Sequence, residues 1–421
     1  MNASDRSTPF SMANPHALAI ILEASETKSI IASSDIFDIS GIKLWARDRP
    51  VSAELQRRLL DRQLRNPLET CLMAEDGVSA ASLAQATQGL LGQDTPLSRL
   101  LRPHGVKLMK EVAGLPLHSV AQLLLTAGQT SRPESFDHAV QAMALCGALM
   151  DAHGGTAAEI RIAMLGGLLH DLGEMYIDPQ YGEADAERTL DFLSYQQLVV
   201  HPHIGHLLVA QLMNYPKSLA TAIAEHHERL DGSGYPHGLT RDAVSPLGRM
   251  LSLAEAALTV LRSERPELSR MSVALRVVPG EFDMGWIGDI ATLARQETGV
   301  HARRDAAELA DRLMRLDEAL AEAHDSIEVL ATSAESAALQ GALQLADALL
   351  DRLRTGWFAS GLWSTEAVAL LDAAEVEAVE DELIHRLCGI ERAARLKAGE
   401  LTPGDAHRLG LLCQSLSSVA P

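Results

Sequence analysis

Residues 226–236 read His-His-Glu-Arg-Leu-Asp-Gly-Ser-Gly-Tyr-Pro, which is the most distinctive stretch of the chain. It begins with two adjacent histidines, and imidazole nitrogens are common ligands of transition metals. Gly232, Gly234 and Pro236 predict a tight, stiff loop after them. Tyr235 in that loop has two readings, one offered outward to a ligand or partner and one packed as part of a structural turn.

Upstream of this loop, histidines and carboxylates recur at spacings that suit a metal site. His170-Asp171 ends the apolar run of residues 162–169 and can present nitrogen and oxygen ligands, with the carboxylate free to bridge two ions. Glu134 and His138 stand four residues apart and therefore share one face of a helix. Taken singly, each of these features is more often structural than functional.

Together the ligand-type residues form one chemically consistent set. The predicted metal ligands are Glu134, His138, His170, Asp171, His201, His226, His227 and Glu255. Because all of them are nitrogen or oxygen donors, the set suits iron, manganese or cobalt better than a soft metal. Such ions make hydroxide available at neutral pH and offset negative charge on phosphate, so the set predicts phosphodiester hydrolysis.

These elements resemble the signature of the HD-GYP family of metal-dependent phosphohydrolases. The matching elements are, in chain order, Glu134, His138, His170-Asp171, His201-Pro202-His203-Ile204-Gly205, residues 226–236, and the helix that begins at Arg249 and carries Glu255. The resemblance covers roughly residues 115–290, and the string that ends in Gly-Tyr-Pro is its specific part. Its Pro-x-x-Gly register selects His201 as the ligand and leaves His203 and His206 as surface or neighbouring residues.

The resemblance implies an all-helical domain that holds two or three divalent ions, iron or manganese, with Asp171 as the catalytic carboxylate. The implied activity is hydrolysis of cyclic di-GMP to a linear dinucleotide, which can continue to GMP. The loop would form part of the active-site rim and a contact for diguanylate cyclase (GGDEF) partners. The implied substrate-binding residues are Asp231, Gly234, Tyr235, Pro236 and Arg265.

The sequence departs from the family pattern at three places. Gly173 is followed by Glu174 where the family has lysine, which puts an anion near the substrate phosphate and is expected to weaken binding or rate. Glu255 replaces an aspartate ligand. Glu267 follows Arg265-Pro266 where the family has tyrosine and then a basic residue. These changes affect substrate handling more than metal binding.

Two functions of different classes therefore stay open. One is a cyclic di-GMP phosphodiesterase, and the other is a catalytically impaired receptor or scaffold that keeps the metal site and signals through its terminal regions. A hydrolase acting on another nucleotide is disfavoured, because generic HD proteins lack the paired histidines and the Gly-Tyr-Pro string.

The composition predicts a mainly α fold, since only 4% of residues are aromatic and Ala and Leu are abundant. We expect an α+β regulatory module with a disordered start at 1–110, a phosphohydrolase domain at 111–298 and an acidic helical region at 299–421. Strands are predicted within 29–45 and a helix within 52–64. The amphipathic segments 307–320 and 337–353 can pair with each other or with a second subunit.

Charge and cysteine usage limit the partners and the compartment. A formal net charge of −20 argues against a nucleic-acid surface. Four cysteines without a Cys-x-x-Cys pair favour a reducing cytoplasm in a bacterial signalling protein. Neither a secretion signal nor a membrane-spanning helix is predicted.

Overall fold

The computed structural model is mainly α-helical, which confirms the fold class predicted from composition. The residues it describes are 9–179, 196–263, 266–294, 304, 306–334, 336–361, 373–398 and 401–417.

The contacts of the chain divide it into two compact units. The first consists of Met1–Asp94 and Leu101–Ala224, and the second of Thr95–Leu100 and Glu225–Pro421. The division between Ala224 and Glu225 falls inside the region predicted as one phosphohydrolase domain.

The first unit opens with the predicted small α+β module. Helix α1 begins after Asn14, whose side chain accepts hydrogen bonds from the amides of His16 and Ala17. Two antiparallel strand pairs follow, β1 with β4 and β2 with β3. The bounds are α1 (Pro15–Ser25), β1 (Ile30–Ala32), β2 (Ile36–Phe37), β3 (Lys43–Trp45), α2 (Ala53–Leu59) and β4 (Leu72–Ala74). Helix α2 ends before residue 64 because Leu60 leaves helical dihedral angles and Asp61 has a φ of 55°.

The rest of the first unit is helical. Its helices are α3 (Ala80–Gly92), α4 (Pro96–Leu101, mostly grouped with the second unit), α5 (Gly105–Val112), α6 (Ser119–Ser131), α7 (Pro133–Ala152), α8 (Ala157–Leu169), α9 (His201–Leu212) and α10 (Lys217–Ala224). Helices α7 and α8 pack against each other along much of their length. Gly167 permits this close approach, since a Cβ atom there would collide with the carbonyl of Ala142.

In the part of the chain that the structure describes, the second unit contains a shorter helical part and four C-terminal helices. Its helices are α11 (Pro246–Leu261), α12 (Leu268–Ala274), α13 (Met284–Ala294), α14 (Ala306–Ser333), α15 (Ala337–Ser360), α16 (Ala373–Ala398) and α17 (Pro403–Ser417). Ser245 caps α11 by accepting a hydrogen bond from the amide of Gly248, and Pro246 occupies the first turn.

The apolar faces of the C-terminal helices meet in one core. Leu316 and Leu320 of α14 are buried with Leu343 and Leu350 of α15, and the same cluster includes Val278 from outside these helices. The predicted amphipathic segments 307–320 and 337–353 thus pair within one chain, and their burial does not require a second subunit.

Among the helices of the described residues, none combines the length and the apolar character needed to cross a bilayer.

Candidate metal centre

Helices α7 and α8 position three of the predicted ligands in the first unit. His138 lies on the second turn of α7, where the helix has entered the core and the side chain is buried. His170 and Asp171 directly follow α8 and start a 3-10 helix that runs from His170 to Tyr176. Ligand atoms of the three residues lie within 4.8 Å of one another.

The histidine nitrogens converge on one oxygen of Asp171. Nε2 of His170 lies 3.0 Å from Oδ2 of Asp171, and Nε2 of His138 lies 3.3 Å from the same oxygen. Nδ1 of His170 is 2.8 Å from the carbonyl oxygen of Gly167, so it donates and carries the ring proton. Nε2 of His170 therefore directs a lone pair towards a carboxylate, an arrangement that a cation between them stabilises.

His201 faces the other oxygen of Asp171. It is fully buried at the first position of α9, and its Nδ1 lies 2.8 Å from the carbonyl oxygen of Leu198. The Nε2 atom of His201 is 3.5 Å from Oδ1 of Asp171. His203 is exposed, and Nδ1 of His206 bonds the carbonyl of Ala220. Both observations agree with the selection of His201 from the Pro-x-x-Gly register.

The carboxylate of Asp171 is held in its charged form. Burial opposes that charge, but the positive charge of His170 in its protonated form and hydrogen bonds donated by His138, His170 and His201 hold the pKa of Asp171 well below its usual range. Asp171 is therefore ionised at neutral pH and is available as an oxygen ligand.

Two glycines bring α9 close to the 3-10 helix that carries Asp171. A Cβ atom on Gly173 would collide with the carbonyl oxygen of His201, and one on Gly205 would lie 3.3 Å from the carbonyl oxygen of His170. Position 173 therefore requires glycine, because the backbone of His201 occupies the space that a side chain would fill.

Glu134 does not join this cluster. It lies in the first turn of α7, before the helix enters the core, and its side chain is exposed. Sharing a helix face with His138 was a correct inference from spacing. Glu134 lies one turn before His138, and that turn is outside the core, so the shared face does not bury the side chain of Glu134.

Glu174 is buried, and the cationic side chain of a residue between α6 and α7 lies beside it. Nη1 of Arg132, just before α7, donates to the backbone carbonyl of Glu174 at 3.1 Å. Burial lowers the pKa of Arg132, while the negative charges of Glu174, Asp178 and Glu23 oppose that shift. The anion at position 174 is therefore accompanied by a guanidinium that the sequence did not reveal, since the two residues are 42 positions apart.

In the second unit, His226 and His227 are buried side by side. Their ring centroids are 4.2 Å apart, and the ring of Tyr235 stacks on His227 at 4.5 Å with an interplanar angle of 16°. Tyr235 is only 8% exposed. Of the two readings of this tyrosine, the packed one is found, because its ring covers a histidine instead of pointing outward.

The loop after His227 is built by two carboxylates and a glycine. Glu228 is buried and accepts hydrogen bonds from the amides of His237 and Leu239, at 2.7 and 2.8 Å. Oδ1 of Asp231 accepts from the amide and the hydroxyl of Ser233. A Cβ atom on Gly234 would collide with the carbonyl oxygen of His227. These residues fold the loop back over its own histidines.

Three further residues were singled out in the sequence, and the structure describes two of them. Glu255 is buried in α11. Glu267 lies at the N-terminal cap position of α12, without a capping hydrogen bond from its side chain. Arg265, predicted to bind substrate phosphate, lies outside the described residues.

Sequence reasoning missed two residues whose contacts hold parts of the site in place, Glu228 and Arg132. The sequence motif gave Glu228 no role of its own, although its carboxylate accepts two backbone hydrogen bonds that shape the loop. Arg132 was not considered at all. A glutamate directly after paired histidines was a signal for the first, whereas Arg132 had none because its contact with Glu174 is tertiary.

The donor set of the first unit fits a divalent ion. Three imidazoles and one ionised carboxylate supply nitrogen and oxygen ligands. His170 and His201 each donate Nδ1–H to a backbone carbonyl, which is the outer partnership typical of metal-binding histidines. This chemistry suits iron or manganese better than a thiolate-preferring metal.

Comparison with known proteins agrees with this donor set. Residues 121–279 match the model of the HD domain family. The chain is 27% identical over 219 residues to a cyclic di-GMP phosphodiesterase of Pseudomonas aeruginosa, covering 52% of this chain and 50% of that protein. It is 32% identical over 123 residues to the cyclic di-GMP phosphodiesterase response regulator RpfG of Xanthomonas campestris, covering 29% and 32% respectively.

A third relative is named for a different substrate. The chain is 30% identical over 106 residues to a 3'3'-cGAMP-specific phosphodiesterase of Vibrio cholerae, covering 25% of this chain and 22% of that protein. The chain thus spans half or less of the length of these relatives.

Proposed function

We propose that this chain, which carries an HD domain of the HD-GYP family, is a metal-dependent phosphodiesterase that hydrolyses cyclic di-GMP. The first product is the linear dinucleotide, and a second hydrolysis yields GMP. The proposal extends to the whole chain a reaction that is named for relatives matched over part of their length.

One observation supports the proposal more than any other: the two oxygens of Asp171 face different histidines. Oδ2 faces His138 and His170, and Oδ1 faces His201. A carboxylate that spans two groups of imidazole nitrogens is suited to bridge two ions. This geometry supports a centre in which Asp171 would hold two ions, and that is the catalytic role we propose for it.

The proposed ligand set contains five histidines and two carboxylates. The ligands are His138, His170, Asp171, His201, His226, His227 and Glu255. Glu134 is left out of this set because its side chain is exposed. The nitrogen and oxygen donors favour iron or manganese as the ions.

Bound ions of this kind supply hydroxide at neutral pH and offset the charge of the phosphodiester. The residues of the chain do the rest. Asp171 stays ionised and keeps both oxygens directed at ligand histidines. The carbonyls of Gly167 and Leu198 fix the ring protons of His170 and His201 on Nδ1, so that Nε2 is the ligating atom of each.

The position of Arg132 favours a phosphodiesterase over a receptor that binds the cyclic dinucleotide without hydrolysing it. The receptor alternative rested on Glu174, which replaces a cation with an anion near the substrate phosphate. The guanidinium of Arg132 lies against the backbone of Glu174 and interacts with its charge. This cation offsets the added anion, so Glu174 is not a sufficient reason to assign a receptor.

The partner and location follow from the same assignment. We propose that the protein acts in the cytoplasm, where cyclic dinucleotide signalling takes place, and that a diguanylate cyclase contacts the exposed loop tip at His237 and Gly238. A homodimer through α14 and α15 is not proposed, because their apolar faces are buried against each other.

The test is turnover by the full-length protein after anaerobic loading with Fe²⁺ or Mn²⁺. Cyclic di-GMP, 3'3'-cGAMP and a nucleoside monophosphate are compared as substrates, with product identity read by chromatography. We expect cyclic di-GMP to be opened to the linear dinucleotide.

Two other results would contradict the proposal. Tight calorimetric binding of intact cyclic di-GMP with no product would identify the receptor instead. Hydrolysis of the mononucleotide alone would identify a different nucleotide hydrolase.

A further inference from the structure

The C-terminal helices and the Gly-Tyr-Pro loop belong to the same compact unit, and a buried charge network connects them. We propose that Arg386 of α16 is a positioning residue for this loop, acting through Glu281, and that Arg352 of α15 assists it through Asp231. The role in metal binding rests on the proposed function, whereas the mechanical link does not.

Glu281 is the central group of the network. Its carboxylate is buried, and it lies between two arginines. Nε of Arg386 donates to Oε2 at 3.0 Å, and Nε of Arg229 lies 3.7 Å from Oε1. Arg229 follows the paired histidines by two residues, so the network reaches the loop itself.

Backbone hydrogen bonds also connect the loop to Glu281. The amide of Leu230 donates to the carbonyl oxygen of Glu281 at 2.8 Å, and the amide of Arg241 donates to the carbonyl oxygen of Leu230 at 2.9 Å. Nη1 of Arg229 also donates to the carbonyl oxygen of Glu228 and to the hydroxyl of Ser252. Leu230, before the loop, therefore bonds the segment that carries Glu281, and Arg241, after the loop, is linked to that segment through Leu230.

That segment is in turn fixed by the C-terminal helices. Val278 is part of the apolar core formed by α14 to α17. The backbone of α15 approaches it so closely that a Cβ atom on Gly356 would collide with the carbonyl oxygen of Val277. The position of Glu281 is thus set by the C-terminal helices.

A second, weaker link runs directly from α15 to the loop. Nη1 of Arg352 lies 3.8 Å from Oδ2 of Asp231, the carboxylate whose other oxygen bonds Ser233. The side chain of Arg352 is one-third exposed. We therefore expect this pair to contribute less than the buried pair of Arg386 and Glu281.

The network explains how polar contacts hold the loop in place. Removing Arg386 would leave the carboxylate of Glu281 buried with one partner fewer, which is a costly state. Exposure of Glu281 to water relieves this cost, and that movement displaces Leu230, whose amide bonds the carbonyl oxygen of Glu281. The loop is therefore the first region expected to loosen.

Hydrogen exchange of the metal-free, full-length protein tests this inference independently of catalysis. In Arg386→Gln, the amides of residues 228–241 are expected to exchange about tenfold faster, while those of α14 and α15 keep their protection. Arg386→Lys should recover part of the protection, since it restores the charge. Arg315→Gln is the matched control, because Arg315 forms an exposed pair with Asp311 in the same helical region.

Metal binding supplies the second measurement. Mn²⁺ titration by calorimetry is expected to show about tenfold weaker binding in Arg386→Gln and unchanged binding in Arg315→Gln. If the wild-type protein binds no Mn²⁺, the proposed function fails, and the exchange result still decides the mechanical link.

The outcomes that would overturn the inference are specific. Loop exchange in Arg386→Gln equal to that in Arg315→Gln would exclude the link, and a loosened loop with unchanged Mn²⁺ affinity would exclude its role at the metal centre. If Arg386→Gln does not fold, Arg352→Gln replaces it. A rise of about threefold in exchange confined to residues 231–240 is then expected, and no rise would overturn the inference.

Discussion

In the first unit the ligand side chains are fixed by helices that pack along their length, whereas in the second unit His226 and His227 begin a loop held by polar contacts. His170 and His201 each have a carbonyl partner within 2.8 Å and lie at helix ends in a buried apolar setting. The loop depends on the carboxylates of Glu228, Asp231 and Glu281. We infer that the first group is preorganised and that the second is adjustable.

The largest effect should come from removing the best-ordered ligands. His170→Ala combined with Asp171→Ala takes away one proposed nitrogen ligand and both carboxylate oxygens of Asp171, so metal affinity and turnover are expected to fall by more than about 100-fold. Helicity by circular dichroism should stay near that of the wild type. His203→Ala, at an exposed position on α9, is the control and should retain both properties.

The next effect concerns the close backbone approach in the first unit. Gly173→Ala is expected to destabilise the protein by about 1–3 kcal/mol, since its Cβ would collide with the carbonyl oxygen of His201. Chemical denaturation measures the change. In the control Gly128→Ala, the added Cβ meets nothing within 4 Å inside α6, and a gain of up to about 1 kcal/mol is expected. Equal effects at the two sites would contradict the packing argument.

The loop should respond to a smaller polar change. Glu228→Gln keeps the shape of the side chain but replaces one of its two accepting oxygens with an NH2 donor, so that one of the two amide hydrogen bonds is lost. We expect a loss of about 1–2 kcal/mol in stability together with faster exchange of the loop amides. The exposed Glu322→Gln should change stability by less than about 0.5 kcal/mol. Equal exchange rates of the loop amides in Glu228→Gln and in this control would contradict the contrast between the two regions.

The smallest effect is a pH dependence in the first unit. Tyr176, the last residue of the 3-10 helix that begins at His170, donates to Oε1 of Glu69 at 2.7 Å. Burial raises the pKa of Glu69, and the hydrogen bond from Tyr176 opposes that rise only in part. Ionisation of Glu69 therefore costs stability as the pH rises through its raised pKa.

Glu69→Gln removes this cost. The variant should gain stability relative to the wild type as the pH increases from below 4.5 to neutral, as measured by denaturant titration at several pH values. A constant difference across that range would contradict the assignment of Glu69.

Periodicity and motif spacing predicted the helical fold and singled out the histidines that the structure brings together in each unit. They worked because His138, His170 and His201 stand at helix positions that face inward. They could not tell that Glu134 stays exposed, because helix spacing gives a shared face but not the depth of each turn. Nor could they predict the stacking of Tyr235 on His227, since the turn alone allows both orientations.

Long-range charge partners were beyond the reach of sequence reasoning. Arg132 and Glu174 meet only through the packing of α7 near the 3-10 helix, and Arg386 reaches Glu281 from 105 positions away. Helix α2 shows the same limit on a local scale. Its apolar spacing continued to residue 64, but the backbone turns at Asp61.

We infer that the buried histidines of this chain serve a catalytic metal centre. The most direct test measures metal content and cyclic di-GMP turnover together in His138→Ala from the first unit and in His227→Ala from the second. We predict that each substitution lowers both the bound metal and the turnover of the Mn²⁺-loaded protein. Full metal content and full turnover in either variant would contradict the claim.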